Sequence, residues 1–121
     1  EILYPLIVGV VRRVLLFLKR INFLRLQCPI GQSSWFGFGL LVNEAQCRND
    51  LVSFLDSRGI EVRPIVGGNM TQQPFLSSGL NKDLSFLNAE NISNNGFMIG
   101  NHQYDITEQI DYFIESCKSF N

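Results

Sequence analysis

Only one histidine and three cysteines occur in the 121 residues, and this scarcity closes several routes at once. Cys28, Cys47 and Cys117 stand far apart without a Cys-x-x-Cys pair, and His102 is the sole imidazole, so no closed zinc set is available and no metal site is expected. The thiols read as buried or incidental groups in a reducing cytoplasm. A surplus of charge is missing too. Ten Lys and Arg against eleven Asp and Glu leave a net charge of -1, too little to draw the chain to nucleic acid or an acidic membrane. No apolar run reaches the roughly 20 residues that span a bilayer. The run from Ile2 to Val11 is shorter, and Arg12 and Arg13 follow it instead of preceding it, which is the wrong order for a signal peptide. Sequons begin at Asn69 and Asn91 but matter only in a secreted chain. No internal repeat is visible.

What is present is apolar material: 45% of residues are hydrophobic and 17% charged, enough for one compact core. Residues 1–23 read as an apolar N-terminal helix, with Val10, Val14, Phe17 and Leu18 at helical spacing and Arg12, Arg13, Lys19 and Arg20 elsewhere on its circumference. Its apolar surface is a candidate for pairing with a second copy. Residues 24–121 read as one folded domain. Within it, Cys28 to Ser34 collects Pro, Gly and Ser and reads as a loop. Trp35 to Val42 is rich in aromatic and aliphatic residues and reads as a strand, with Gly37 and Gly39 marking a close backbone approach.

From Cys47 to Arg58 the period becomes helical, with Leu51, Phe54 and Leu55 on one side, and Gly59 supplies the left-handed stop. A strand from Ile60 to Val66 follows, with Pro64 pointing to an edge or strand end. Residues 67–83 read as a long loop with at most a turn of helix. A short helix is expected over Leu84 to Asn94, ended by Gly96, then a buried strand at Phe97 to Gly100. Ile106, Ile110, Phe113, Ile114 and Cys117 form the apolar face of a terminal helix, with Asp105 and Glu108 spaced as a capping box. The expected fold is a two-layer α/β (α+β) sandwich: a small three-stranded sheet, antiparallel or mixed, with helices on one face.

Three blocks carry a family resemblance: SSWFGF at Ser33 to Phe38, RNDLVSFLDSRGIEVRPIVGGNMTQQP at Arg48 to Pro74, and NAENISNNGFMIGNH at Asn88 to His102. In order and spacing they resemble the C-terminal small domain of the DegT/StrS family of nucleotide-sugar aminotransferases over roughly Leu24 to Lys118. Arg63, Pro64, Gly68 and Asn69, with Asn95, Gly96, Phe97, Gly100, Asn101 and His102, are similar to the branch of 3-dehydratases that deoxygenate a GDP- or CDP-linked 4-keto-6-deoxyhexose. The histidine that ordinary aminotransferases of the family carry after the Arg-Pro pair is absent here, which points the same way.

The resemblance implies a fold-type I α+β small domain whose full-length parent uses pyridoxal or pyridoxamine phosphate, acts on a nucleotide-linked keto-sugar in deoxysugar or O-antigen biosynthesis, and resides in the cytoplasm. The cofactor machinery of the family lies in its large domain. Lys19, Lys82 and Lys118 lie in no Schiff-base context, so this chain is expected to be a fragment, inactive and without cofactor when alone.

Five residues are candidates for substrate contact, and none for catalysis. Arg63, after a strand, could make paired hydrogen bonds to phosphate or carboxylate; its plainer reading is a surface ion pair. Asn69, beside Gly67 and Gly68 in a corner open to anions, and Gln73 take their weight from the family block. His102 precedes the terminal helix and is read as a binding or structural group. Trp35, Phe36 and Phe38 offer aromatic faces, with Trp35 assigned to line the cleft and one of the two Phe residues to the core. The competing function is a stand-alone binding or oligomerisation module that keeps the fold without the chemistry.

Overall fold

The computed structural model describes residue 16 and residues 21–28, 30–33, 35–43, 47–77, 79 and 85–120. The helix expected over 1–23 lies outside the described residues apart from Leu16 and 21–23. The elements run β1 (Leu24–Leu26), β2 (Gly37–Val42), α1 (Arg48–Ser57), β3 (Val62–Arg63), a 3₁₀ turn (Met70–Gln72), a helical turn α2 (Pro74–Ser77), α3 (Leu87–Asn95), β4 (Gly96–Gly100) and α4 (Thr107–Lys118). The four strands form one antiparallel sheet in the order β1-β2-β4-β3.

The α+β architecture is as the sequence suggests, but the sheet has four strands, not three. The added strand, Leu24–Leu26, pairs Leu24 with Val42 and Leu26 with Leu40. Three residues are too few to show an alternation, and the partner is distant in sequence. The strand expected over Ile60 to Val66 shrinks to Val62–Arg63, because Pro64 has no N–H to continue a ladder.

Alternation sorts the sheet into two unlike faces. Phe38, Leu40 and Val42 of β2 face the same way as their partners Ile99 and Phe97 of β4, and all five are buried. Leu51 and Leu55 of α1 and Ile110, Phe113, Ile114 and Cys117 of α4 complete this core. The opposite face carries Gly37, Gly39 and Leu41 of β2 against Gly100, Met98 and Gly96 of β4, with Arg63 beside Met98. Its two central strands are thus largely glycine.

The helix ends follow from short-range chemistry. Gly59, at φ 74°, closes α1 by donating its N–H to the Asp56 carbonyl while the Ile60 N–H reaches the Leu55 carbonyl, an end that a Cβ would strain. At the start of α4 the Asp105 carboxylate accepts the Thr107 N–H at 2.9 Å. This closes a local turn two residues on. Gly96 ends α3 as expected, at an extended φ of -88°. α3 runs straight into β4, and a Cβ at Gly96 would collide with the Ile92 carbonyl oxygen and lie 2.7 Å from Ile65 Cδ1. Gly96→Ala is expected to cost about 1–3 kcal/mol through this overpacking, read as a lowered urea midpoint.

Cys117 is fully buried whereas Cys28 and Cys47 are exposed. Desolvation pushes the Cys117 thiol up from 9.0 to about 12. The unfolded thiol ionises near pH 9 and the folded one holds its proton, so its contribution to stability is intact below pH 9 and is lost as the pH rises toward 12. Stability should fall by up to about 1.4 kcal/mol per pH unit across that window, and a Cys117→Ala variant should lack this component. At pH 8 a thiol reagent should label Cys28 and Cys47 and spare Cys117 until the chain unfolds.

Candidate functional site

An open cavity of about 770 Å³ lies at the Gly100 end of the glycine-rich face of the sheet, walled by Phe36, Glu61, Arg63, Pro64, Ile65, Val66, Gly67, Met98, Gly100 and Asn101. Gly37 is required for the approach of strand and side chain: a Cβ there would lie 2.9 Å from both the Ile99 carbonyl oxygen and Met98 Sδ. A Cβ at Gly39 would lie 2.8 Å from Gln27 Oε1, so the amide of Gln27 sits over the same face. Apolar wall residues stand unusually open to solvent, Phe36 at 87% and Val66 at 82%.

Arg63 lies on this face because its neighbour Val62 pairs with the inward-facing Ile99 and side chains alternate along the strand. Its Nε and one terminal nitrogen both donate to Glu61 Oε1, at 2.9 and 2.6 Å. Both side chains are more than two-thirds exposed, so the pair adds little to stability and leaves the guanidinium within reach of an anion that competes with Glu61.

A second recess of about 260 Å³ lies round the corner, between the start of β3, the end of β4 and α4, and His102 is on its wall. The imidazole Nδ1 accepts the Tyr104 N–H at 3.3 Å, and the ring stacks on that of Tyr104 with centroids 4.7 Å apart. Glu61, Gly100 and Asn101 border both spaces, so Arg63 and His102 flank a single corner of the sheet.

The other three candidates stand elsewhere. Asn69 is 3% exposed and caps the 3₁₀ turn: its Oδ1 accepts the Thr71 N–H at 3.1 Å and the Thr71 hydroxyl at 2.7 Å. Asn-x-Thr at a loop corner is a local capping pattern, a signal available from sequence. Gln73 is half-buried after that turn and borders neither space. Trp35, assigned to the cleft wall, is instead a core residue: 7% exposed and stacked on Phe38 at 5.6 Å.

The physical reason is backbone. Trp35 has φ 51°, a left-handed conformation that costs a bulky residue about 1–3 kcal/mol. The turn places Trp35 on the core side with Phe38 and throws Phe36 out to the cavity. Asn101 Nδ2 donates to the Trp35 carbonyl at 2.6 Å while its Oδ1 accepts the His102 N–H at 2.9 Å. Met98 is a cavity residue that the sequence reading did not single out; its place on the face that alternation gives to Gly96 and Gly100 of the same strand was the signal for it.

Among the described residues no cluster of three His, Cys, Asp or Glu is placed to hold a metal, and no helix is long and apolar enough to cross a membrane.

The fold defines the class. A DegT DnrJ EryC1 StrS aminotransferase from Brucella abortus superposes on 97% of this chain with a TM-score of 0.79 at 17% identity, through 31% of its own length, and the shared fold is that of the C-terminal domain of such enzymes. Sequence goes further. The GDP-4-keto-6-deoxy-D-mannose 3-dehydratase of Escherichia coli O55:H7 is 36% identical over 102 residues, which are 79% of this chain and 26% of that protein. Its counterpart from Yersinia pseudotuberculosis is 38% identical over 92 residues, 73% of this chain and 23% of that one. A solved Escherichia coli structure of this enzyme, with bound hydrated PLP, overlays 93% of the chain with a TM-score of 0.80 at 34% identity. No family model matches. The chain belongs to the DegT/StrS family as a C-terminal small domain related to the 3-dehydratases, and it spans about a quarter of the length of the curated relatives it matches.

Proposed function

We propose that this chain is the small domain of a nucleotide-sugar enzyme that acts on a 4-keto-6-deoxyhexose in deoxysugar or O-antigen biosynthesis, with 3-dehydration favoured over transamination. The observation that carries the reading is the open cavity beside Arg63 and Gly100, found in a chain whose relatives are GDP-4-keto-6-deoxy-D-mannose 3-dehydratases. Gly100, where a Cβ would meet nothing within 4 Å, leaves that edge of the cavity low enough for a flat ligand to approach backbone. Arg63 can exchange its exposed contact with Glu61 for paired hydrogen bonds to a phosphate. His102, at the adjoining corner, contributes to binding through its unstacked edge. Asn69 and Gln73 support the β3-to-α2 loop from behind, and Trp35 supports the cavity through its neighbour.

Pyridoxal or pyridoxamine phosphate would supply the electron sink of such a reaction. The described residues do not form its seat: the ammonium of Lys118 contacts Glu115 at 2.6 Å in the exposed last turn of α4, and His102 is engaged with Tyr104. We therefore assign cofactor binding to a large domain and the catalytic step to residues outside this chain. The domain boundary at residue 24 belongs to the same reading. So do a cytoplasmic site, which suits three cysteines free of disulfides, and pairing of two copies through exposed apolar surface.

The test is a chimera in which this chain replaces the matching quarter of the Escherichia coli 3-dehydratase. The chimera should retain measurable 3-dehydration of GDP-4-keto-6-deoxymannose, and the isolated chain should show none. A chimera that folds and takes up cofactor yet does not turn over would sink the assignment.

A further inference from the structure

We propose that Asn101 is the positioning residue of the cavity: it latches Trp35 in its left-handed turn and thereby sets Phe36 as the aromatic wall on which a ligand ring stacks. This rests on the proposed function for the identity of the ligand, but not for the latch itself.

Three observations converge on it. Trp35 is a bulky residue at φ 51°, where L side chains persist only if their surroundings impose it. Its carbonyl receives the Asn101 Nδ2–H at 2.6 Å across 66 positions of sequence, while Ser33 Oγ accepts its N–H at 3.1 Å. The corner is thus held from both sides, and the Asn101 side chain ties it to the end of β4. The outcome of the turn is an inversion of faces: Trp35 stacks on Phe38 inside, and Phe36 stands 87% exposed on the cavity wall. An exposed aromatic on the same cavity wall as Gly100 has a free π-face for a planar or sugar ring. The same Asn101 side chain accepts the His102 N–H, so one amide sets the corner from which both spaces open.

Trp35 is the only tryptophan of the chain, so its fluorescence reads the latch directly. Asn101→Ala removes both hydrogen bonds; Asn101→Asp keeps the acceptor for His102 and loses the donor to Trp35. Both variants should shift Trp35 emission to the red and raise its acrylamide quenching about twofold, as expected for an indole leaving the core for water, while urea unfolding stays cooperative. Unchanged emission and quenching in the folded variants overturns the latch. If either variant fails to fold, wild-type NMR decides: a scalar coupling across the hydrogen bond from the Asn101 side-chain amide to the Trp35 carbonyl supports the proposal, and its absence overturns it.

The role of Phe36 is read separately, with GDP as the probe and the chimera as the protein. Phe36→Ala and Asn101→Ala should each raise the GDP Kd about tenfold, the loss expected for one stacked ring, and the double variant should be no worse than either. Additive losses overturn the claim that Asn101 acts through Phe36. Absence of GDP binding by the parent chimera removes the ligand assignment and leaves the fluorescence result standing.

Discussion

Replacing Phe97 by alanine should remove a large share of the stability of the domain. Phe97 is 1% exposed, sits on the central strand β4, and pairs in register with Leu40, itself fully buried. It belongs to the layer where the sheet meets α1 and α4, through Leu51, Leu55, Phe113 and Ile114. Truncating a buried phenylalanine costs about 3–5 kcal/mol, part from lost burial and part from the cavity left behind. Domains of this size have about 5–15 kcal/mol in total, so the variant should be partly unfolded near its working temperature. Urea titration should show a lower midpoint with an unchanged slope. Phe75→Ala is the matched control: Phe75 is 69% exposed, and its loss should stay within about 0.5 kcal/mol. If the two variants are equally stable, the core has been assigned to the wrong face of the sheet.

Much of this core was legible before the structure, because α1 and α4 bury long amphipathic faces with a period that survives any tertiary context. Leu51, Leu55, Ile110, Phe113, Ile114 and Cys117 all fall where the spacing puts them. The central strand β2 and its partner β4 were visible for a similar reason, and the order of the family blocks follows the order of these elements. β1 was not visible: Leu24–Leu26 owes its strand state to β2, not to its own sequence. The shortening of β3 to Val62–Arg63 follows from Pro64 directly after it.

The candidate site was harder, since it hinges on single backbone events. Counting alternation back from Phe38 puts Phe36 inside and Trp35 outside. The left-handed turn at Trp35 reverses that, and a positive φ on tryptophan has no signature in sequence. Asn69 is a related case: its amide looks like a ligand contact in a glycine corner, yet the Thr two positions on gives it a local role. Arg63 and His102 border adjoining spaces at one corner of the sheet, but their hydrogen bonds to Glu61 and Tyr104 depend on rotamers that spacing does not determine.

Two glycines paired across the sheet should separate the needs of the fold from those of the site. Gly37 and Gly100 are register partners on the open face. A Cβ at Gly37 would press on the Ile99 carbonyl and on Met98 Sδ at 2.9 Å, whereas one at Gly100 would meet nothing within 4 Å. Gly37→Ala should therefore destabilise the domain by about 1–3 kcal/mol, since backbone oxygen cannot yield as a side chain does. Gly100→Val faces no such clash, and a β-branched residue suits a strand better than glycine does, so its stability should equal or exceed that of the wild type. Its side chain would nonetheless rise into the cavity between Phe36 and Arg63, displacing a bound ring by an ångström or more. A displacement of that size can cost about 100-fold in turnover, so the Gly100→Val chimera should fold normally and lose about that factor in kcat/KM for the GDP-linked substrate. Full activity in a well-folded Gly100→Val chimera would show that the cavity beside Gly100 is not where substrate lies, and would move the search to the recess beside His102.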